Sequence, residues 1–302
     1  MFAGSTEGRR PRPPGGWLSD LAGAALPLAL RDLFDRVDAG LSRLPNRLNA
    51  FGFDPFGFSP AGLRPAAQLG AVLYRHYFRA EAHGIAAVPS GRVLIIANHA
   101  GQLPLDAMML ATALLLEAEP PRLARGMAEY WVSHLPWISI GAARTGAMVG
   151  TPENCTRMLE NDECVLAFPE GVRGLNKPFR ERYRLQRFGL GFMRLALATK
   201  TPVVPVGIVG SEEQQPGLAN LAGLAKALRM PAFPLTLGFP WLGPLGLLPL
   251  PVKYHLHFGE PMEFSGNGDD EDRLVQPKVQ RVRREIERLL QRGLAQRSGI
   301  FR

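Results

Sequence analysis

The apolar positions of the chain follow two rhythms. From about Leu28 to Leu44 they recur at helical spacing, at Leu33, Phe34, Val37, Leu41 and Leu44, with Arg31, Asp32, Arg36 and Arg43 on other faces. Phe51–Pro60 is aromatic and punctuated by glycine, which predicts a loop, and a helix is expected over Pro65–Arg79. Beyond it, short unbroken apolar runs alternate with helical segments. Gly91–Ala97 reads as a strand, Leu105–Glu117 as an apolar helix and Cys164–Phe168 as a strand. Gly189–Thr199 reads as a helix, Val203–Val209 as a strand and Tyr254–Phe258 as a further strand. Leu274–Leu294 is amphipathic, with Leu274, Val279, Val282, Ile286, Leu289 and Leu290 on its apolar side. This order predicts an α/β fold: a single largely parallel or mixed sheet flanked by helices, with an N-terminal helical extension and a C-terminal amphipathic helix. The expected partition is a disordered tail over 1–16, a helical membrane-proximal region over 17–80 and one catalytic domain over 81–302.

Two strand ends carry candidate chemistry, where an open α/β sheet usually places it. The run Val93–Ala97 is followed by Asn98 and His99, and Asp106 stands at the start of the next helix. A His–Asp pair can deprotonate a hydroxyl, because the carboxylate orients the imidazole and stabilises the imidazolium as it forms. The plainer reading is a helix-capping Asn98 beside a hydrogen-bonded histidine. The second strand end reads Phe168-Pro169-Glu170-Gly171-Val172-Arg173. Arg173 can grip a phosphate bidentately, and Glu170 can orient a substrate hydroxyl or pair with the arginine. The plainer reading here is a turn with a surface ion pair, worth about 0–1 kcal/mol. Lys177, Arg180, Arg182, Arg184 and Arg187 follow, either as a solvated face or as a source of local anion attraction. Pro205 inside the run Val203–Val209 predicts an edge strand or a strand end.

Composition narrows the partners. The chain has 302 residues, 46% of them apolar, enough for a sizeable core. Its net charge of +8 favours anionic partners, whether nucleic acid, an acidic membrane surface or a phosphorylated substrate. Zinc-finger spacing and a ribonucleoprotein signature are both absent, so nucleic acid is not expected. Cys155 and Cys164 are the only cysteines and fit a reducing compartment. No convincing signal peptide opens the chain. Met230–Val252 is uncharged and long enough to span a bilayer, but its six prolines argue against a spanning helix. With Phe233, Phe239 and Trp241 it is expected to form an interfacial surface, an apolar tunnel or a buried irregular connection. His134 is expected to be structural or solvent-facing, and Trp137 and Trp241 to serve packing or an interface. His255 and His257 alternate on a strand and share one face; with no cysteine or carboxylate at metal spacing, no metal site is expected. No Gly-x-Ser-x-Gly nucleophile elbow supports a hydrolase.

Together the segments resemble the glycerophospholipid acyltransferase family, typified by 1-acylglycerol-3-phosphate acyltransferases, over roughly residues 75–265. His99 with Asp106 resembles its first block. Gly141-Ala142-Ala143-Arg144 resembles its second, where an arginine helps bind the glycerol phosphate. Phe168–Arg173 is similar to its Phe-Pro-Glu-Gly-Thr-Arg block, and Val204-Pro205-Val206 to its fourth. The family's usual first block places four residues between the His and the Asp, whereas this chain has six. The threonine of the third block is Val172 here, and the serine that usually follows is Gly174. A bacterial subgroup with the longer spacing is similar, and the segment Asp54–Phe58 resembles it too.

The resemblance implies transfer of a fatty acyl chain from an acyl thioester to the hydroxyl of a lysophospholipid. The alternatives are a neutral-lipid acyltransferase acting on diacylglycerol and a non-catalytic membrane-surface binding protein of the same fold. It implies His99 as general base, Asp106 as its partner, and Arg144, Glu170, Gly171 and Arg173 as substrate-binding residues. Backbone N–H groups near Ala100–Gly101 are candidate oxyanion donors. No bound cofactor is implied; acyl-coenzyme A or acyl carrier protein is the co-substrate. The expected partner surface is anionic phospholipid, on the cytoplasmic face of the membrane, held peripherally.

Overall fold

The computed structural model describes residues 27–302, apart from 46, 102, 176, 222, 224–233 and 237. The tail over 1–16, residues 17–26 of the N-terminal region, and residues 230–233 and 237 of the proline-rich segment lie outside the described residues. The fold is α/β. Strands β1 (Glu81–His83), β2 (Val93–Ala97), β3 (Ala124–Ala128), β4 (Met148–Val149), β5 (Cys164–Ala167), β6 (Val203–Val209) and β9 (His255–Phe258) form one sheet. Their order is β1-β9-β6-β2-β5-β3-β4. All neighbours are parallel except β6 and β9. β7 (Gly217–Asn220) and β8 (Pro234–Thr236) form a separate antiparallel pair.

The unbroken apolar run of β2 follows from its position. All five of its residues are buried, because β2 lies inside the sheet with helices on both faces. Alternation then splits the strand between two cores. Val93, Ile95 and Ala97 meet Tyr74, Phe78 and the helix α3 (Leu105–Leu116) through Met109, Leu110 and Leu114. Leu94 and Ile96 meet the other face, covered by α5 (Pro152–Glu160), α7 (Gly191–Thr199) and the long α8 (Asp272–Gln296). Each fully buried aliphatic side chain contributes about 1.5–3 kcal/mol relative to leaving it exposed. α8 lies close on β6: a Cβ on Gly207 would come within 2.8 Å of the Leu289 Cβ.

Two expectations are corrected. β6 is an interior strand, not an edge. Pro205 is tolerated there because its backbone faces the end of the β9 ladder, where its carbonyl accepts from Gly259 N–H at 2.8 Å and no strand donor is needed. The helix expected from Pro65 begins earlier, as α2 (Pro60–Val72), with Pro60 in its first turn and Pro65 inside it; it runs on into a wider turn over Leu73–Tyr77.

The N-terminal extension packs as a small core of its own. Leu33, Val37 and Leu41 of α1 (Leu28–Ser42) meet Phe58, Ala67, Ala71 and Leu115. The aromatic loop ahead of α2 is pinned by Asp54, whose Oδ1 accepts from the Phe56 and Phe58 N–H groups at 2.8 and 2.9 Å. Its other oxygen takes the buried Arg125 of β3, which also binds Glu163 at 2.7 Å and sits over the Phe56 and Phe58 rings. Burial opposes the Arg125 charge, but Glu163 and Asp54 outweigh it and raise its pKa. Asp54→Ala leaves Arg125 with Glu163 as its one carboxylate partner among the described residues and frees two loop N–H groups, so it is predicted to lose about 1–3 kcal/mol in urea unfolding. An unchanged unfolding midpoint would show that the loop is held by its apolar contacts alone.

Candidate active site

The site begins where β2 ends. Asn98 extends the strand with its side chain: its Oδ1 accepts from Ile208 N–H at 2.7 Å and its Nδ2 donates to the Ile208 carbonyl at 3.1 Å. This fixes the exit of the chain, so the next residue, His99, is aimed rather than free. The chain then turns at Gly101, whose φ of +86° and contact with Gln214 leave no room for a side chain. It returns at the N-terminus of α3 with Asp106 in the first turn.

The two residues meet. His99 Nδ1 lies 2.7 Å from Asp106 Oδ2, and Asp106 is fully buried. The carboxylate also accepts from the Ala100 N–H at 3.0 Å and the Ala107 N–H at 2.8 Å. Three donors and a helix N-terminus offset its burial. With Asp106 ionised, His99 donates from Nδ1, which leaves Nε2 as the basic nitrogen. The His99 ring stacks on Phe168, centroids 4.1 Å apart. The six-residue spacing therefore still closes the pair.

The third-block residues take different roles from one another. Glu170 is buried and, among the described residues, pairs with neither Arg173 nor any other side chain: its Oε1 accepts from the His99 N–H at 3.1 Å and its Oε2 from the Gln186 N–H at 2.6 Å. It ties the β2 and β5 exits together. Gly171, at φ +55°, lines a cavity of about 200 Å³ with His99, Met127, Glu129, Phe168 and Leu175. Arg173, on the short helix α6 (Val172–Leu175), is exposed just outside that lining and donates to the Arg187 carbonyl at 3.4 Å. Gly174, at the family's serine position, is closed against the histidine: a Cβ there would stand 2.6 Å from the His99 carbonyl oxygen.

Other expected residues lie elsewhere. Arg144, at the end of α4 (Pro136–Arg144), packs over the Phe53 ring at 4.5 Å and lines no part of the His99 cavity. Lys177 is not part of a solvated face; it is buried, bonded to Glu212 at 2.9 Å and to the Arg184 carbonyl at 3.1 Å. Burial pushes the Glu212 carboxyl up to about 7 against the opposing pull of Lys177. The Ala100 N–H, a candidate oxyanion donor, is already committed to Asp106. Phe168 and Glu129 enter the site although sequence reasoning gave them no role; Phe168 was visible as part of its block, whereas Glu129 had no signal.

Comparison with known proteins decides the family. The family described as Acyltransferase matches residues 79–209. An uncharacterized protein of Mycobacterium tuberculosis is 40% identical over 259 residues, 84% of this chain and 71% of that one. One of Mycobacterium leprae is 40% identical over 283 residues, 90% of this chain and 76% of that one. The chain belongs to the acyltransferase family. It is an O-acyltransferase. A chicken protein (Gallus gallus) named "DGAT1/2-independent enzyme synthesizing storage lipids" is 26% identical over 207 residues, 66% of this chain and 57% of its own. The crystal structure of the 1-acyl-sn-glycerophosphate (LPA) acyltransferase PlsC from Thermotoga maritima is similar at 18% identity and a TM-score of 0.48, covering 78% of this chain and 81% of that one.

The glycine contact yields a test of the acyltransferase site. Gly174→Ala is predicted to push the His99 backbone aside. A displacement near 1 Å can cost about a hundredfold in rate, and overpacking about 1–3 kcal/mol in stability. Turnover at the wild-type rate in the folded variant would show that His99 tolerates the shift.

Proposed function

We propose that this acyltransferase moves a fatty acyl chain from an acyl thioester to the hydroxyl of a lysophospholipid such as 1-acylglycerol-3-phosphate. The observation that carries the reading is the His99–Asp106 contact at 2.7 Å beside an open cavity. His99 Nε2 takes the proton of the acceptor hydroxyl as its oxygen attacks the thioester carbonyl. Asp106 stabilises the imidazolium that forms. The tetrahedral intermediate collapses, the carbon–sulfur bond breaks, and His99 returns the proton to the leaving thiolate. The products are an ester and a free thiol, with acyl-coenzyme A or acyl carrier protein as donor and no bound cofactor. Arg173, exposed two residues after Gly171 of the cavity lining, supplies the phosphate attraction in this reading, with Arg187, whose carbonyl it meets. Glu170 and Gly171 act by shaping the loop, and Arg144 acts only on a substrate long enough to reach α4.

A separate apolar cavity of about 320 Å³ starts at Ala107, next to Asp106, and is lined by Leu63, Met108, Ala111, Leu115 and Leu123. It suits an alkyl chain. A second reading, a neutral acceptor such as diacylglycerol, is favoured by the lining of the His99 cavity: among the described residues no Lys or Arg lines it, and Glu129 is its one carboxylate. The name of the chicken relative agrees with that reading.

General-base catalysis contributes about 10²–10⁴-fold. Acceptor-dependent thiol release from long-chain acyl-coenzyme A or acyl carrier protein is predicted to fall by that factor in His99→Ala. A folded variant with near-normal release would overturn the mechanism. Competition between lysophosphatidate and diacylglycerol in the same assay separates the two acceptors.

Contact with lipid rests on exposed apolar side chains. α4 has no buried residue among those described and presents Trp137, Ile138 and Ile140, with Trp137 86% exposed. Trp241, Leu242, Leu245 and Leu248 of the proline-rich segment are also exposed, which favours an interfacial surface over a buried connection. No helix among the described residues is long and apolar enough to cross a membrane. The net charge of +8 suits the anionic cytoplasmic leaflet, each nearby basic residue contributing about 1 kcal/mol. The protein is predicted to sediment with vesicles containing phosphatidylglycerol, less so at high salt or as Trp137→Glu. Failure to bind even at low salt would remove the peripheral-membrane reading.

A further inference from the structure

A second cluster of reactive side chains stands at the sheet edge, with no part in the acyl-transfer chemistry. β1 and β9 pair in parallel, with Glu81 opposite His255 and His83 opposite His257. Residues in register and two apart share a face, so Glu81, His83, His255 and His257 all project to the same side. That side is the one covered by the end of α8, where Gly293 leaves space for His257: a Cβ there would come within 2.7 Å of the ring. The three imidazoles stand nearly parallel, with centroids 4.5 Å apart for His83–His257 and 5.8 Å for His83–His255. One ring nitrogen of each lies within 4.8 Å of the other two.

Two further observations point to a ligand. The Nε2 atoms of His255 and His257 are buried and have no hydrogen-bond partner. Buried polar atoms without a partner are rare and costly, and each calls for an explanation. Glu81, in addition, brings a carboxylate oxygen to 3.5 Å from His255 Nδ1 and 3.8 Å from His83 Nε2.

We propose that His83, His255 and His257 bind a divalent transition-metal ion of the zinc class, with Glu81 or a water as the fourth ligand. Imidazole donors suit zinc, cobalt, nickel or copper rather than magnesium or calcium, and three of them with one open position form a tetrahedral set. The His255 and His257 rings are both buried, which disfavours their charged form, and a neutral imidazole keeps a lone pair for a metal. Metal–nitrogen bonds near 2.0–2.1 Å require the donor atoms to stand roughly 3.4 Å apart. The cluster must therefore tighten and the ring stack must open. His83 can supply that motion, because its side chain is 44% exposed and it lies on the edge strand.

Three cations face the cluster and oppose a metal there: Lys253, Arg292 and Arg297. Two are already neutralised, Lys253 by Glu81 at 2.7 Å and Arg297 by Glu213 at 2.8 Å. A metal that recruits Glu81 displaces Lys253. The bound ion would clip the short edge strand β1 to β9, adding to their three-pair ladder a bond that the three-residue strand cannot provide alone.

The test uses the full chain without a polyhistidine tag, stripped with chelator and titrated with zinc by calorimetry. One zinc per chain is expected, with a rise in melting temperature, and cobalt in its place should give the visible absorption of a tetrahedral site. His83→Ala removes an exposed ring and leaves the core intact. It is expected to weaken zinc binding at least about tenfold and to abolish the thermal shift, while His134→Ala, which changes a histidine outside the cluster, binds as wild type. No zinc uptake by the stripped wild-type chain would overturn the proposal. So would uptake of equal affinity and stoichiometry by His83→Ala.

Discussion

A buried carboxylate governs the catalytic end of this molecule. Asp106 has no access to solvent, and among the described residues its charge is held by the His99 ring and the N–H groups of Ala100 and Ala107. An unpaired charge in that place would cost several kcal/mol, so the loop between β2 and α3 must close in the one way that brings those three donors together. The same closure fixes the tautomer of His99 and aims Nε2 at the cavity. Stability and acid–base geometry thus share their hydrogen bonds.

The neighbouring chain segments serve that closure. Asn98 spends its amide on the Ile208 backbone and so anchors the loop to β6. Glu170, expected to bind substrate or an arginine, instead joins the backbone of His99 to that of Gln186. Gly174 lets the turn after β5 lie against the His99 carbonyl, a contact a serine could not make without a shift. The third block therefore acts on the histidine from behind. Its arginine remains exposed, and in the proposed reaction it is the part that meets an anionic acceptor.

Much of this was legible in the sequence, because the two signals are local. The unbroken run Val93–Ala97 announces a strand buried on both faces, and the alternation of strands and helices gives the layered α/β architecture. The candidate pair was readable because Asp106 is the only carboxylate between His99 and Glu117. What was not legible depends on contacts between distant segments. Pro205 looked like the mark of an edge strand or a strand end, and only the point where β9 stops explains it inside an interior strand. Lys177 looked like one of a row of solvated cations, and only Glu212, far along the chain, draws it inside. The Asp54–Arg125 pair and the meeting of His83 with His255 and His257 likewise need the fold before they can be seen.

The most direct test of the account is a double-mutant cycle on turnover with His99→Ala, Asp106→Asn and the two combined. If Asp106 acts through His99, removing it from a protein that already lacks the imidazole costs almost nothing, and the double variant is as slow as His99→Ala alone. Losses that multiply across the two positions would mean that the carboxylate and the imidazole act independently, and would contradict the dyad.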